Sequence, residues 1–284
     1  MKLVDSISRM STLAKMLKKE GKSIGFVPTM GYLHEGHLSL ARTAKKHTDV
    51  VVMSIFVNPL QFGPGEDFAK YPRDIKRDED LARGAGTDII FCPTVTEMYP
   101  YGYATYVNVE RLTDNLCGKS RPGHFRGVTT VVTKLFGIIK PDVAYFGQKD
   151  AQQAIVIRKM AEDLNTGVEV KILPTVREES GLAMSSRNSY LSEMQRRDAS
   201  GIYHSLEKAR AMVKEGETDP KKIISAVSDM IKRIPEARLD YLAIVDTVEL
   251  KNMAIISGEA LIAVAVFLGK VRLIDNIIVK GINS

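Results

Sequence analysis

The stretch Gly25-Phe-Val-Pro-Thr-Met-Gly-Tyr-Leu-His34-Glu-Gly-His37-Leu-Ser-Leu40 decides how the rest of the chain is read. Ile24 to Val27 is a short apolar run suited to a buried strand. Pro28, Gly31 and Gly36 then interrupt regular structure. From His37 onward, Leu38, Ala41 and Ala44 recur at helical spacing. The reading is strand, glycine-containing turn, helix. A helix start presents unpaired N–H groups and partial positive charge, which suit an anion such as phosphate. His34 and His37 share a face if the first helical turn includes both. Two imidazoles beside those N–H groups can stabilise the negative charge that develops in phosphoryl or nucleotidyl transfer. The pair can equally cap the helix or begin a metal site. A metal needs a third and usually a fourth ligand, and His47, His124 and His204 form no compact cluster in sequence. No metal ligands are therefore assigned.

Outward from this stretch, strands and helices alternate. Residues 3–20 read as an amphipathic helix with Leu13, Met16 and Leu17 on one face. Asp49 to Val57 is a continuous apolar run, as in a strand covered on both faces. A helix over 74–85, a strand at Asp88–Cys92 and a short edge strand at Thr105–Val109 follow. Gly118–Gly127 reads as a basic loop, Val128–Ile139 as a helix, Val143–Phe146 as a strand, 149–164 as a helix and Val168–Leu173 as a strand. This order predicts a Rossmann-like, doubly wound parallel sheet in residues 1–176. Residues 177–284 read as a smaller α+β domain. Ser192 and Gln195 form a capping box for a helix over 193–214, and Asp219-Pro220 opens another. Three strands follow, Leu239–Val245, Ala260–Phe267 and Val271–Ile278, with Gly269-Lys270 as a hairpin turn.

Each chemistry-bearing loop follows a predicted strand, where ligands bind in doubly wound sheets. The first is Asn58-Pro-Leu-Gln61; its amides can orient a carboxylate or hydroxyl, although Asn-Pro is also a plain turn signal. The second is Gly147-Gln-Lys149-Asp150, with Gln153 one turn on. Lys149 at a helix start is unfavourable unless an anion is near, whereas Asp150 suits the helix dipole without any ligand. The third is Val176-Arg-Glu-Glu-Ser-Gly-Leu-Ala-Met184-Ser-Ser-Arg187, whose hydroxyls and guanidinium are good phosphate ligands. By periodicity alone, Val131 and Val132 are core residues.

His34-Glu-Gly-His37 resembles the His-x-Gly-His signature of the nucleotidyltransferase and class I aminoacyl-tRNA synthetase superfamily. The longer string from Pro28 to His37, with the three loops above in order, is similar to the pantoate–β-alanine ligase (pantothenate synthetase) family across most of residues 26–190. The C-terminal part matches only in general character. The Met184–Arg187 loop resembles the synthetases' Lys-Met-Ser-Lys-Ser loop, with Ala183 and Ser186 replacing the lysines.

The resemblance implies an ATP-dependent ligase that joins (R)-pantoate to β-alanine through a pantoyl adenylate, giving pantothenate, AMP and pyrophosphate. It implies His34, His37 and Lys149 as catalytic residues. It implies ATP contacts from Met30, Gly31, Tyr32, Leu33, His34, Glu35, Gly36 and His37. Further ATP contacts would come from Gly147, Gln148, Lys149, Asp150, Val176, Met184, Ser185, Ser186 and Arg187. Gln61, Gln153, Met30, Val131 and Val132 would hold pantoate or β-alanine, and Tyr71-Pro-Arg-Asp74 would be a substrate loop. Mg²⁺ would accompany ATP, and the chain would be a homodimer. The C-terminal part would act as a lid, its hinge near the Met184–Arg187 loop, excluding water from the adenylate.

Composition narrows the alternatives. The 284 residues are 44% hydrophobic and 26% charged, as in ordinary globular chains, with room for one large or two modest domains. The net charge of +6 is spread along the chain, which fits anionic substrates but is weak support for nucleic-acid binding. No apolar run reads as a membrane span and the start has no apolar signal region. Cys92 and Cys117 form no CxxC pair, so a cytoplasmic protein with reduced thiols is expected. The nearest alternative is another enzyme with the same His motif, making a dinucleotide or CDP-linked product. A dehydrogenase would need a GxGxxG turn, which Gly63-Pro-Gly65 and Gly84-Ala-Gly86 fail to complete. An RNA-binding module would show salt-dependent binding.

Overall fold

The apolar runs become a parallel sheet, and their pairing sets where the loops emerge. The computed structural model describes residues 1–281, so the last three positions of the expected 177–284 range lie outside the described residues. The chain divides into two compact units. One comprises Met1–Glu110, Arg121–Gly147 and Val156–Pro174; the other comprises Arg111–Ser120, Gln148–Ile155 and the chain from Thr175.

In chain order, the first part contains β1 (Lys2–Val4), α1 (Ile7–Lys19), β2 (Ile24–Thr29), α2 (Glu35–His47), β3 (Val50–Ile55), α3 (Ile75–Gly84) and β4 (Ile89–Phe91). Short helices α4 (Val95–Met98) and α5 (Leu116–Ser120) follow, then α6 (His124–Ile139), β5 (Val143–Gly147), α7 (Ala151–Asp163) and β6 (Glu169–Leu173). The six strands form one parallel sheet in the order β1-β4-β3-β2-β5-β6, flanked by helices. From β2 the strand order runs outward in both directions, through β3 on one side and β5 on the other. The carboxyl ends of β2 and β5 therefore mark the switch point of the sheet. Val27, Val51, Met53, Ile90 and Tyr145 lie in its core against Leu40, Ala41 and Ala44 of α2.

Four expectations change. The first helix starts only at Ile7, preceded by a strand, and it buries Met10 and Ala14 while Met16 is 52% exposed. β2 runs through Pro28, which lies beyond the two β5 pairings at Gly25 and Phe26. No ladder bond toward β5 is therefore lost there. Thr105–Val109 is not a strand: the Val107 N–H donates to Thr130 Oγ1, and the Val107 carbonyl accepts from Thr129 Oγ1. The basic loop of Gly118–Gly127 is partly helical, because α5 and the first turn of α6 occupy it.

The second unit holds α8 (Glu193–Lys214), α9 (Pro220–Ile231) and an antiparallel sheet, β7 (Ala237–Asp246), β8 (Glu259–Leu268) and β9 (Val271–Lys280), in that order. Ser192 caps α8 with Gln195 closing the reciprocal bond, and Asp219 caps α9. Leu268 pairs with Val271, so Gly269-Lys270 is the two-residue turn, with Gly269 at φ +57°. Ile202, Leu206, Ala209 and Val213 of α8 and Ile223 and Val227 of α9 pack on Ile262, Val264 and Val266. No helix among the described residues is long and apolar enough to cross a membrane.

Candidate active site

In the first unit, β2 delivers the chain into a turn that only particular residues can make. Gly31 has φ +84°, and a Cβ there would meet Ile55 Cγ2 at 2.9 Å and Asp78 Oδ2 at 3.0 Å. Tyr32 is also left-handed, at φ +52°. Asp78, 1% exposed on α3, accepts the N–H groups of Tyr32 and Leu33, each at 2.7 Å. Burial raises its pKa, against the opposing pull of those two N–H groups. Arg77 donates to the Leu33 carbonyl at 2.9 Å and lies over the Tyr32 ring. The first turn of α3 thus holds the turn that precedes His34. Sequence reading missed Asp78, although a signal existed: it shares a helical stripe with Ala82 and Ala85, which are buried.

His34 is the N-cap of α2, in extended conformation, rather than a member of its first turn. Its Nδ1 accepts the Gly36 N–H at 3.2 Å, and His37 Nδ1 accepts the His34 N–H at 3.4 Å. The rings lie 4.0 Å apart, centroid to centroid. With Nδ1 accepting, each neutral ring carries its proton on Nε2. The capping role and the donor role are thus compatible on one ring. Glu35 pairs with Arg42.

The Asn58–Gln61 turn is held from three sides. Tyr99 Oη donates to Asn58 Oδ1 at 2.8 Å, and Asn58 Nδ2 donates to Gln61 Oε1 at 3.1 Å and to the Gly127 carbonyl at 3.0 Å. Gln61 Nε2 points to Met30 Sδ at 3.0 Å, so these two expected residues do meet. The Gln61 carbonyl accepts from His124 Nδ1 at 2.7 Å and Arg121 Nη2 at 3.2 Å. Arg121 in turn grips both oxygens of Glu66, at 2.7 and 2.6 Å. Glu66 keeps a lowered pKa, because the Arg121 bonds and charge outweigh its burial. Val131 and Val132 are buried in α6, at 6% and 4% exposure. Tyr71 is buried as well, and Asp74 caps α3.

In the second unit, Gln148–Asp150 forms a single 3₁₀ turn ahead of α7. Asn276 Nδ2 donates to the carbonyls of Gln148 and Lys149, both at 2.9 Å. Lys149 Nζ lies 3.6 Å from Asp150 Oδ2, which offsets the cost expected of a cation here. Gln152 is scaffold: it is 6% exposed and bonds Leu112 and Asn115 carbonyls and the Cys117 N–H. Gln153 is half-buried.

The Val176–Arg187 loop is a small hairpin. Met184 N–H bonds the Val176 carbonyl at 3.0 Å, and Glu178 N–H bonds Leu182 at 2.8 Å. Gly181 has φ +88°, and a Cβ there would lie 2.4 Å from the Tyr203 ring. Arg177 stacks on that ring and forms a two-pronged pair with Asp275, at 2.6 and 3.0 Å. Burial raises the Asp275 pKa despite Arg177. Asn188 ties Ala183 to Glu178, and Ser185 caps the 3₁₀ turn Ser186–Tyr190 that carries Arg187. Asp275 and Asn276 were also missed by sequence reading. Their signal is a polar pair that interrupts the apolar run from Leu273 to Val279. Among the described residues, no group of three or more His, Cys, Asp or Glu side chains could hold a metal ion.

In the first unit the switch-point strand β2 runs into a His-x-Gly-His helix start, the place where doubly wound α/β proteins bind their ligands. A family model described as Pantoate-beta-alanine ligase matches residues 2–278. The pantothenate synthetase of Moorella thermoacetica is 56% identical over 280 residues, 99% of each chain. That of Pelotomaculum thermopropionicum is 59% identical over 278 residues, covering 98% of this chain and 99% of its own. The crystal structure of pantothenate synthetase from Thermus thermophilus superposes with a TM-score of 0.92 at 46% identity, covering 98% of this chain and 99% of that one. The pantoate–β-alanine ligase of Francisella tularensis, described as complexed with β-γ ATP and β-alanine, gives 0.79 at 34% identity, covering 98% and 97%. The chain belongs to the pantoate–β-alanine ligase family, the pantothenate synthetases, and is an enzyme of that family.

Proposed function

We propose that the chain condenses (R)-pantoate with β-alanine in two steps. The pantoate carboxylate attacks the α-phosphorus of ATP, the bond to the bridging oxygen breaks, and pyrophosphate leaves. The β-alanine amine then attacks the acyl carbon of pantoyl adenylate, releasing AMP and one proton and leaving pantothenate. The observation that carries this reading is the His34–His37 pair at the start of α2, with both Nδ1 atoms committed to the cap. Nε2–H is then the donor of each ring, preorganised for charge that builds on the phosphates.

Lys149 and the Ser185–Arg187 segment supply further phosphate ligands, and the Met30–His37 backbone, Gly147–Asp150, Val176 and Met184 line the nucleotide. Gln61, with Oε1 taken by Asn58, turns its amide N–H₂ toward pantoate, alongside Met30, Val131, Val132 and Gln153. Neutral amides leave the carboxylate nucleophilic, where a salt bridge would quench it. Mg²⁺ enters with ATP as part of that substrate, held by phosphate oxygens rather than by a protein cage. The enzyme works as a cytoplasmic homodimer, and the chain beyond residue 177 closes as a lid over the adenylate.

The test is isotope exchange. Pantoate alone, without β-alanine, should drive labelled pyrophosphate into ATP. A direct three-substrate displacement would give no exchange, and an acyl-phosphate route would release ADP. Either result, with enzyme active in the full reaction, overturns the adenylate pathway.

A further inference from the structure

The turn that carries Lys149 is fixed by a side chain 127 residues further along the chain. Asn276 is 3% exposed on β9. Both protons of its amide nitrogen go to successive carbonyls, those of Gln148 and Lys149, and its Oδ1 accepts from Gln148 Nε2 at 3.3 Å. Nothing in the sheet calls for an amide at this position. The strand's register, Asn276 opposite Ala263 and Asp275 opposite Val264, is made by backbone groups. A buried amide is unfavourable unless its bonds are made, and here three are made to a single two-residue segment. The neighbouring Asp275 does the same for the Arg177 hairpin, through a guanidinium that also donates to the Gly181 carbonyl at 3.1 Å. Adjacent residues of one strand thus set the backbone beneath both segments assigned to phosphate in this unit.

We propose that Asn276 is a positioning residue for the adenylation step, acting through Lys149. The inference rests on the proposed contact of Lys149 with ATP. With the carbonyls of residues 148 and 149 fixed, the stem of Lys149 leaves the backbone from one place. Its side chain is 19% exposed, with Asp150 beside its ammonium. Without Asn276 the turn relaxes, and a misplacement of about 1 Å in a positioning group costs on the order of 10²-fold in rate.

The experiment is a double-mutant cycle in the whole enzyme, read by pantoate-dependent pyrophosphate exchange and by urea unfolding. Asn276→Ala should lower kcat by about 10- to 10²-fold, with the pantoate KM little changed. Asn276→Asp, which keeps the shape but turns a carboxylate on the two carbonyls, should do no better. In a Lys149→Ala background, Asn276→Ala should add less than about a 3-fold further loss, because the group it positions is gone. If the two losses multiply, or if folded Asn276→Ala keeps full kcat, the positioning role is overturned. If folded Lys149→Ala keeps full activity, the Lys149 reading and the positioning role both fail. Loss at Lys149 with multiplying effects removes only the latter. Should Asn276→Ala not fold, Asn276→Ser, which retains one donor, is put through the same cycle with the same criteria.

Discussion

Replacing Asp78 separates the scaffold of the His turn from its chemistry. The carboxylate accepts two backbone N–H groups at 2.7 Å, from Tyr32 and Leu33. Leu33 is fully buried and Tyr32 is half-buried, so water can take over only the latter bond. Each buried group left unpaired costs about 1–3 kcal/mol. Asp78→Ala should therefore destabilise the protein by about 2–4 kcal/mol, with the Tyr32 share at the low end. Asp78→Asn keeps one acceptor oxygen and removes a charge that burial already disfavours, so its loss should be about 1–2 kcal/mol. Urea unfolding at pH 7 measures both values, and AMP formation in the full reaction measures the effect on turnover. Turnover should fall in the same order, because Gly31–Leu33 leads directly into the cap residue His34. An Asp78→Ala protein within about 0.5 kcal/mol of wild type, the range of an ordinary surface change, would refute the reasoning. So would an Asn variant less stable than the Ala variant.

Gly127→Ala should be destabilised by about 1–3 kcal/mol and show a raised KM for pantoate, since a Cβ there would lie 2.2 Å from the Leu60 carbonyl oxygen. Wild-type stability and KM would mean that α6 does not hold the Gln61 turn. Glu66→Gln tests pH dependence. The folded pKa of Glu66 is lowered from 4.5 by Arg121, against its burial, so its contribution is complete above pH 4.5 and is lost as pH falls through the folded value. The difference in urea midpoint between wild type and Glu66→Gln should therefore be present at pH 7 and shrink as the pH drops below 4.5. A gap that widens in acid would reverse the sign of the argument.

What could be read from sequence was what local chemistry determines. The Ser192–Gln195 box, the Asp219-Pro220 start and the Gly269-Lys270 turn each depend on neighbours within four positions, and each lies where expected. The long apolar run of β3 and the Leu38–Ala41–Ala44 stripe of α2 were equally plain. Lys2–Val4 was absorbed into a helix because three residues carry no period, and its strand identity comes from pairing with Ile89–Phe91. Thr105–Val109 alternates as a strand should, but hydroxyls of α6 meet the backbone of Val107 in place of a ladder. At the candidate site, the residues proposed to meet substrate stood out in the sequence because their types are unusual: paired histidines, a lysine at a helix start, a serine-rich loop. Those that hold them did not. Asp78 and Asn276 bond backbone groups 45 or more positions away, and a backbone N–H or carbonyl has no letter in the sequence.

The span between Lys149 and Asn276 has a consequence for how the protein is made. On the ribosome, at about 5–20 residues per second, the 127 residues from Asp150 through Asn276 take roughly 6–25 s to synthesise. For most of that interval, once β6 has been completed at Leu173, all six strands of the parallel sheet have been made. The turn carrying Lys149 has no Asn276 to hold it. A nascent chain stalled or clipped before β9 is complete can therefore assemble the His34–His37 cap yet leave the lysine turn unset. The final strand acts as a clasp, closed only when almost the whole chain has been translated.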